Sequence, residues 1–436
     1  MVRAKMSAKI GVVGMWHLGC VISACWAKLG HKVVGVDRDA KRIDALKNGT
    51  PPLYEPHLEE TIQQYIESGH LAFDTEASAL ADADFVFMSY DTPVRDDDSS
   101  DVTILLETID SLAPVLKDGA VVVVSSQSPV GLCAKMRATL QAANASVELA
   151  YSPENLRLGE AIACYLAPGR VIIGTATSEA EAKVKGLFGE IDADLECMGL
   201  ESAEAVKHGI NAWLSTSITF ANHLADICES HGARIDDVVR GMKTDPRIGP
   251  KAYLAPGIGF SGGTLGRDLK VLEAANDEGG KDATLFGHIH ALNGLRKDVV
   301  VRKVDRMVGG LSGKTVAVLG LTYKPGTSTL RRSLPLAVVE TLASQGATVR
   351  AYDPKADYSE VEQLPPMTKA SGIDDALEGA DVVLLLTDWP DFKEHDFAGS
   401  LAKAKQPNFF DTKNCLDEAK MTQAGWRYAS IGRPTR

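Results

Sequence analysis

The sequence contains no long hydrophobic run. Its most apolar stretches, AVVVV at 120–124 and DVVLLL at 381–386, have the length of β-strands, whereas a membrane-spanning helix needs about 20 apolar residues. An excess of basic residues is also missing, since 46 Lys and Arg stand against 58 Asp and Glu for a net charge of −12. Nucleic acids and anionic membranes attract basic surfaces. We therefore expect neither as a partner.

Paired cysteines are absent as well. The seven cysteines, at positions 20, 25, 133, 164, 197, 228 and 415, include no C-x-x-C pair, which is the spacing typical of zinc and redox sites. Scattered single thiols are typical of a reducing compartment, and the N-terminal residues run directly into an apolar strand without the h-region of a signal peptide. The sequence thus predicts a cytoplasmic protein with buried, reduced thiols and no metal site.

Short apolar strands alternate with helical segments at both ends of the chain. The first such strands are AKIGVVGM (8–15), HKVVGVD (31–37), ADFVFMSYDTP (83–93) and AVVVVSSQSP (120–129). The C-terminal part repeats the plan with KTVAVLGL (314–321), ATVRAYDP (347–354), ADVVLLLTDW (380–389) and PNFFDTKN (407–414). This alternation is typical of a parallel sheet covered by helices on both faces.

The middle of the chain has apolar residues at helical spacing over 200–240 and 266–310, without strand signals. We therefore predict an α/β fold with two doubly wound, Rossmann-like domains joined by a long central helix with a helical middle domain. The expected domains are 1–198, 199–310 and 311–436.

The first strand is followed by GMWHLG (14–19), which partly matches the dinucleotide fingerprint G-x-G-x-x-G. Gly14 and Gly19 occupy the first and third glycine positions, but Trp16 stands at the second. Asp37 ends the next strand, where a carboxylate commonly binds a ribose hydroxyl. This spacing favours NAD, although Arg38 and Arg42 leave NADP open. The alternative is a strand–turn–helix connection without any cofactor.

Ordered landmarks along nearly the whole chain identify a family resemblance. They include PPLYEPHLEE (51–60), SPENLRLGEA (152–161), AEAVKHGIN (203–211), DPRIG (245–249), KAYLAPGIGF (251–260) and GLTYKPGT (320–327). Together they resemble the UDP-glucose/GDP-mannose (nucleotide-sugar) dehydrogenase family. The resemblance implies an N-terminal NAD domain, a helical dimerising centre and a C-terminal domain that helps to hold the nucleotide sugar. It also implies oxidation of the sugar C6 hydroxyl to a carboxylate in two hydride transfers, as in polysaccharide biosynthesis.

The resemblance also assigns site residues. Lys207 and Asn211 lie one helical turn apart, where they could stabilise an oxyanion, unless they belong to a solvated helix face. The implied catalytic residues are Glu154, Lys207, Asn211, Thr264 and Asp268. The implied NAD-binding residues are Gly14, Trp16, His17, Leu18, Gly19, Asp37, Arg42, Thr92, Gln127 and Arg267. The implied substrate-binding residues are Leu156, Arg247, Tyr253, Gly257, Phe260, Lys324 and Arg331, with Arg247 and Arg331 as phosphate cations or, alternatively, members of surface ion pairs.

The glycine-rich loop GFSGGTLGRD (259–268) departs from the pattern that the resemblance implies. The family loop reads like G-F-G-G-S-C-F-P-K-D with a nucleophilic cysteine, which here is Thr264, while Gly266 and Arg267 replace the proline and lysine. Gln127 and Leu158 also replace an expected threonine and glutamate. A hydroxyl ionises far less readily than a thiol. We therefore expect the first oxidation to survive and the second to be weak or absent.

Three functions follow as alternatives. The first is a two-electron oxidation of a nucleotide-linked sugar, most naturally a UDP-sugar. The second is the full four-electron oxidation to a uronate with water replacing the cysteine, and the third is a non-catalytic nucleotide-sugar or NAD-binding protein. The segment TSTLRRS (327–333) lacks acidic residues that the resemblance implies, so the sugar, the base and the carbon attacked stay open.

A homodimer is expected through the helix around 200–230, with Ala212, Ser215, Thr219 and His223 as small or polar interruptions of its apolar face.

Overall fold

The computed structural model describes residues 7–92, 101–153, 156–157, 159–277 and 285–434. The chain forms two compact units, Met1–Gly209 and Ile210–Arg436. The second unit contains both the central helices and the C-terminal sheet. The three-part division made from the sequence remains a prediction.

The first unit is built on an eight-stranded sheet. Its strands are β1 (Lys9–Val13), β2 (Lys32–Val36), β3 (Leu71–Asp74), β4 (Phe85–Met88), β5 (Val121–Val124), β6 (Glu148–Tyr151), β7 (Gly169–Thr175) and β8 (Ala193–Met198). They lie in the order β3-β2-β1-β4-β5-β6-β7-β8, and only the β6–β7 pair is antiparallel among the described strands. The first six strands have the 3-2-1-4-5-6 order of a dinucleotide-binding sheet.

Helices follow most of these strands. They are α1 (His17–Lys28), α2 (Ala40–Lys47), α3 (Leu58–Glu67), α4 (Thr103–Leu112), α5 (Leu132–Ala143), α6 (Ala161–Leu166) and α7 (Ser178–Phe188). The 31-residue helix α8 (Leu200–Ser230) begins in the first unit and continues into the second.

The central strand β5 shows why the sheet needs helices on both faces. All four of its valines are fully buried. Val121 and Val123 belong to one hydrophobic cluster, and Val122 and Val124 belong to the other. Since alternate side chains of a strand point to opposite faces, each face of the sheet carries its own core. The predicted doubly wound architecture is confirmed here.

The second unit repeats the strand order in a smaller parallel sheet. Its strands are β9 (Thr315–Leu319), β10 (Thr348–Tyr352), β11 (Thr368–Lys369), β12 (Val382–Leu385), β13 (Asn408–Asp411) and β14 (Arg427–Ser430), in the order β11-β10-β9-β12-β13-β14. Its helices are α9 (Ile235–Met242), α10 (Leu265–Asp277), α11 (Leu285–Gly294), α12 (Arg296–Val308), α13 (Leu334–Ser344), α14 (Ile373–Leu377), α15 (Pro390–Glu394), α16 (Phe397–Ser400) and α17 (Glu418–Gln423).

A buried aspartate follows the second strand of the C-terminal sheet. Asp353 is 7% exposed, and its carboxylate accepts hydrogen bonds from the backbone N–H groups of Leu321, Thr322, Lys355 and Ala356, from the Thr322 hydroxyl and from the Trp389 indole. These donors come from the turns after β9, β10 and β12. The carboxylate therefore holds three turns together at the C-terminal edge of the sheet.

Among the helices that the structure describes, none combines the length and the apolar character that crossing a bilayer requires. Within the same ranges, no three His, Cys, Asp or Glu side chains are grouped so as to hold a metal ion. All seven cysteines lie in the described part of the chain and are free thiols. Four of them are buried, whereas Cys164, Cys197 and Cys415 are partly accessible.

Candidate functional site

The turn after β1 requires its two glycines for different reasons. Gly14 has a φ of 90°, in the left-handed region, and a Cβ there would lie 2.8 Å from the Tyr90 ring. A Cβ on Gly19 would lie 2.1 Å from the Gly14 carbonyl oxygen, closer than any real contact. Helix α1 can therefore pack against the turn only with glycine at 19, as in dinucleotide-binding turns.

Trp16 is compatible with this turn, although glycine is usual at its position. Its φ of −84° and ψ of −159° suit any residue. The indole is 41% exposed, and the Arg42 guanidinium carbon lies 5.3 Å from its ring centroid, a cation–π distance. Helix α1 begins at the next residue, His17, so its first backbone N–H groups face the turn and suit a pyrophosphate.

Asp37 organises the same region from the end of β2. It is 6% exposed, and its carboxylate accepts hydrogen bonds from Met15 N at 2.7 Å, Asp39 N at 3.0 Å and Arg42 Nη1 at 2.8 Å. Two of these hydrogen bonds go to Oδ2 and one goes to Oδ1, so Oδ1 can accept a further donor such as a ribose hydroxyl. Arg42 also pairs with Asp39 at 3.4 Å. The Arg42 guanidinium is thus already paired with two carboxylates.

This arrangement predicts that NADP binds about 30-fold more weakly than NAD. A 2′-phosphate would meet the Asp37 carboxylate, and a residual repulsion of about 2 kcal/mol corresponds to that factor. Titration of the wild type and of Asp37→Asn with both cofactors measures the ratio of the NADP and NAD dissociation constants. This ratio should be smaller in the variant. Asp44→Asn, an exposed change on α2 with the same charge difference, serves as the control. Tighter binding of NADP by the wild type would show that Arg38 and Arg42 dominate instead.

Glu55 joins this turn to a second loop. The side chain is almost fully buried, and its Oε2 lies 3.0 Å from His17 Nε2. The carboxylate also accepts hydrogen bonds from Gly159 N at 3.0 Å and Ala161 N at 2.9 Å. Burial raises the pKa of Glu55, but these hydrogen bonds outweigh it and hold the pKa below its usual value. Because an ionised carboxylate only accepts, His17 Nε2 must carry the proton.

The start of α8 is tied to the loop after β5. Glu204 is fully buried and accepts hydrogen bonds from Ser128 Oγ, Gly131 N and Cys133 N at 2.6–2.9 Å. His208 Nε2 lies 2.7 Å from the Ser128 carbonyl oxygen. Gln127 is partly buried in this loop. The helix that carries Lys207 therefore fixes the loop that carries Gln127.

A cavity of about 340 Å³ opens at the C-terminal ends of β5 and β6. In sheets of this type, ligands bind in the crevice outside these strand ends. Its lining includes Ser125, Ser152, Leu156, Arg157, Cys164 and Arg170. Of the predicted site residues, Leu156 lines this cavity and Thr92 is buried at the end of β4. Glu154 and Leu158 lie outside the described residues.

The second unit brings three predicted catalytic residues together. Asn211 and Asp268 are buried, and the Asn211 amide donates a short hydrogen bond to the Asp268 carboxylate. Asp268 N donates to the Thr264 carbonyl oxygen at 3.1 Å. Thr264 is exposed and directly precedes α10, and Arg267 is half-buried in the first turn of that helix. Lys207 lies one turn before Asn211 on α8.

Two asparagines hold the start of the glycine-rich loop 259–268 and the residues just before it. Asn222 Oδ1 accepts a hydrogen bond from Gly257 N at 2.7 Å. The Asn293 amide bonds both backbone groups of Phe260 at 2.8 Å, and a Cβ on Gly259 would lie 2.4 Å from Asn293 Oδ1. The loop is thereby fixed at Gly257 and Phe260, two of the predicted substrate-binding residues.

The other predicted substrate-binding residues are more exposed. Lys324 and Arg331 lie in the segment after β9, which approaches the glycine-rich loop because Gly262 N donates to the Arg332 carbonyl oxygen at 3.1 Å. Tyr253 is 52% exposed. Arg247 forms an exposed pair with Asp245 at 2.6 Å. The structure does not bring Arg247 into the hydrogen-bonded cluster around Asp268.

Six of the seven cysteines are unsuited to replace the missing nucleophile at residue 264. Burial raises the pKa of the Cys20, Cys25 and Cys415 thiols to about 12, and it also raises the pKa values of Cys133, Cys197 and Cys228. These six thiols are therefore protonated at neutral pH and are poor nucleophiles.

Several residues that organise the site were not predicted from the sequence. They are Glu55, Tyr90, Glu204, His208, Asn222 and Asn293. Each acts through a partner more than 30 residues away in sequence, so spacing alone carried no signal. A weak signal existed for Glu55 and Glu204, because both lie inside landmarks that the resemblance had already identified, PPLYEPHLEE and AEAVKHGIN.

Comparison with known proteins agrees with this geometry. The chain matches the NAD binding domain of the UDP-glucose/GDP-mannose dehydrogenase family over residues 8–192, its central domain over 201–294 and its UDP binding domain over 317–418. It belongs to that family.

Individual relatives span almost the whole chain. A UDP-glucose 6-dehydrogenase from Pseudomonas aeruginosa is 33% identical over 443 residues, covering 98% of each chain. The structure of a UDP-glucose dehydrogenase from Pyrobaculum islandicum is similar with a TM-score of 0.88, 26% identity and 99% coverage of both chains. A UDP-N-acetyl-mannosamine dehydrogenase from S. aureus has a TM-score of 0.81, 27% identity and coverage of 98% and 99%.

The fold and the family together define an oxidoreductase that acts on a CH–OH group. The protein is an NAD-dependent nucleotide-sugar dehydrogenase. NAD fits the turn that contains Gly14 and Gly19, the carboxylate of Asp37 and the start of α1.

Proposed function

We propose that this protein oxidises a hydroxyl group of a UDP-sugar by two electrons and releases the carbonyl product. The observation that carries the proposal is the placement of Thr264, whose hydroxyl stands at the start of α10 where the family resemblance implies a nucleophilic cysteine. A helix N-terminus lowers the pKa of a thiol, but a threonine hydroxyl stays protonated there. Without a covalent adduct, a second oxidation would have to proceed from the free aldehyde hydrate.

The first oxidation needs only residues that are present. NAD bound at the turn 14–19 supplies the hydride acceptor. Lys207 and Asn211 are proposed to stabilise negative charge on the substrate oxygen as the hydride leaves. Asp268 orients the Asn211 amide through their hydrogen bond and, with Lys207, is proposed to accept the hydroxyl proton. Glu154 is proposed as a further catalytic carboxylate.

The proposed binding residues extend this assignment. For NAD they are Gly14, Trp16, His17, Leu18, Gly19, Asp37, Arg42, Thr92, Gln127 and Arg267. For the UDP-sugar they are Leu156, Arg247, Tyr253, Gly257, Phe260, Lys324 and Arg331. The UDP binding domain of the family and the names of the relatives support a UDP-sugar rather than another nucleotide sugar.

Counting NADH formed per sugar consumed tests the two-electron proposal. UDP-glucose and UDP-N-acetyl-mannosamine are the first substrates to try, since relatives are named for them. One NADH with a trapped aldehyde supports the proposal. Two NADH with a uronate would show the four-electron alternative, in which water replaces the cysteine, and no NADH with any UDP-sugar would favour a binding protein.

We propose further that the chain forms a homodimer through α8. Trp213, Phe220 and Ile227 are 68%, 49% and 57% exposed and lie seven residues apart on this helix, which is the spacing of a coiled-coil seam. Three of the four residues that the sequence suggested as interruptions of the dimer face, Ala212, Ser215 and Thr219, are instead buried within the fold. The exposed stripe is therefore a different face of α8.

Phe220→Asp is expected to convert the dimer into a monomer, because a carboxylate would be buried without a partner at the centre of the stripe. Light scattering at micromolar concentration should then give the 46.5 kDa of one chain instead of twice that mass. Leu285→Asp is the control, since Leu285 is also exposed, at 65%, but lies on α11. A wild-type monomer would contradict the proposal.

A further inference from the structure

One buried carboxylate connects the first residues of two helices. Glu55 receives a hydrogen bond from His17, the first residue of α1, and another from the N–H of Ala161, the first residue of α6. Gly159 N is its third donor. The partners lie 38, 106 and 104 residues from Glu55 in the sequence. The side chain is therefore a bridge between distant segments rather than a local turn contact.

Glu55 serves as the N-terminal cap of α6. The first backbone N–H groups of a helix have no partner within the helix. The residue before α6, Glu160, makes no side-chain capping hydrogen bond, and the Ala161 N–H is satisfied by Glu55 instead. The start of α6 and Gly159, two residues before it, are thus held by a residue from another loop.

The other end of the bridge lies at the NAD-binding turn. His17 follows Trp16 at the start of α1, whose first backbone N–H groups suit a pyrophosphate. Its ring must donate to Glu55 through Nε2, because the carboxylate is ionised. Any ligand that fixes the turn 14–19 also fixes the position of this donor.

We propose that Glu55 is a positioning residue that couples NAD binding to the order of the backbone at Gly159 and Ala161. NAD at the turn 14–19 fixes His17, His17 fixes the Glu55 carboxylate, and the carboxylate holds Gly159 and Ala161. Leu156, which lines the cavity at the strand ends, lies three residues before Gly159. The nucleotide sugar then meets a more firmly held start of α6 when NAD is bound. This last step rests on the proposed role of Leu156 in binding the sugar.

Hydrogen–deuterium exchange tests the coupling with NADH as the probe and without any sugar. In the wild type, saturating NADH should slow exchange of the Gly159 and Ala161 amides by about 10-fold, since local opening is then suppressed. In His17→Phe, which leaves the hydrogen bonds from Gly159 and Ala161 to Glu55 in place, the effect should fall below about twofold. Glu55→Gln should behave in the same way. For each variant, the NADH affinity is measured first, and exchange is then followed at an NADH concentration that saturates that variant.

Glu60→Gln provides the matched control. It removes the same charge from an exposed position on α3 and should retain the wild-type response. If His17→Phe with saturating NADH protects Gly159 and Ala161 as the wild type does, or if NADH gives the wild type no protection, the coupling is refuted. A lower melting temperature of Glu55→Gln with full NADH-dependent protection would likewise refute it, because Glu55 would then only hold the fold.

A second measurement follows the coupling to the substrate. The affinity for UDP-glucose should rise about fivefold when NADH is present in the wild type and change little in His17→Phe. This arm depends on UDP-glucose being a ligand, whereas the exchange arm does not. If UDP-glucose does not bind, that result counts against the proposed substrate. The coupling through Glu55 is then tested by the exchange experiment alone. An unchanged fivefold effect in His17→Phe contradicts the coupling.

Discussion

Lys207→Met is expected to lower kcat for the first hydride transfer by about 100- to 1,000-fold, the usual cost of removing one group that stabilises developing negative charge. Methionine keeps the length of the side chain and removes only the ammonium group. Since Lys207 lies on α8 and not in the turn 14–19 that is proposed to bind NAD, the NADH affinity should change by less than about twofold. Pre-steady-state measurement of NADH formation, together with an NADH titration, separates the two effects.

The control for this variant is Lys47→Met, an exposed lysine at the end of α2, which should have wild-type kinetics. A rise in KM for the UDP-sugar with unchanged kcat would contradict the assignment. Lys207 would then contribute equally to binding the substrate and the transition state, as a lysine that only contacts a phosphate does.

Thr264→Cys is expected to raise the yield of NADH from one toward two for each sugar consumed. The exposed position at the start of α10 favours a thiolate because the N-terminus of a helix stabilises negative charge. A thiolate can add to the aldehyde and hold it for a second hydride transfer. NADH and uronate are counted together, before and after treatment with iodoacetamide, which should abolish only the second oxidation.

The gain will stay partial because other positions that the family resemblance assigns to the site also differ from the family pattern. Gly266 is buried in the first turn of α10, and the loop that carries Gln127 is fixed by Glu204 and His208. A nucleophile must stand about 3 Å from its target carbon to react well. A single substitution is not expected to restore that distance.

Thr264→Ala defines what the hydroxyl does in the wild-type enzyme. The variant should keep the first hydride transfer within about threefold of the wild type, since the alcohol oxygen is assigned to Lys207 and Asn211. Loss of the first NADH would mean that the hydroxyl positions the substrate or relays a proton.

Cys164→Ser tests whether the thiol that lines the cavity acts as a substitute nucleophile. The yield of NADH should be the same as in the wild type, because we expect no such role for this thiol.

Continuous apolar strands were predictable from the sequence, whereas short and edge strands were not. The segment AVVVV gives the fully buried β5, and KTVAVLGL gives β9. The strand β3 was missed because it has four residues, LAFD, of which one is exposed and another only partly buried. A four-residue strand at the edge of a sheet has no distinctive pattern. The long helix α8 was predictable because apolar spacing persists over 31 residues.

The candidate site was predictable only where its residues belong to one local sequence pattern. Gly14, Gly19 and Asp37 follow a local pattern, and the structure places them around one turn. The residues that hold those neighbours in place, such as Glu55 and Asn293, reach partners 38 to 106 and 33 residues away. Such contacts depend on how the chain folds back on itself, which the spacing of residue types does not encode.

The two aspartates that follow the second strand of each sheet illustrate how a repeated architecture diverges. Asp37 accepts three hydrogen bonds, whereas Asp353 accepts six in the corresponding place. Asp37 is the aspartate assigned to a ligand, whereas Asp353 is held by backbone N–H groups, a hydroxyl and an indole. If both sheets descend from one ancestral duplication, selection on the two positions now differs in kind. We expect a change at Asp37 to be penalised chiefly through cofactor use, with a smaller cost from its three buried hydrogen bonds, and a change at Asp353 to be penalised through folding, whatever ligand is present.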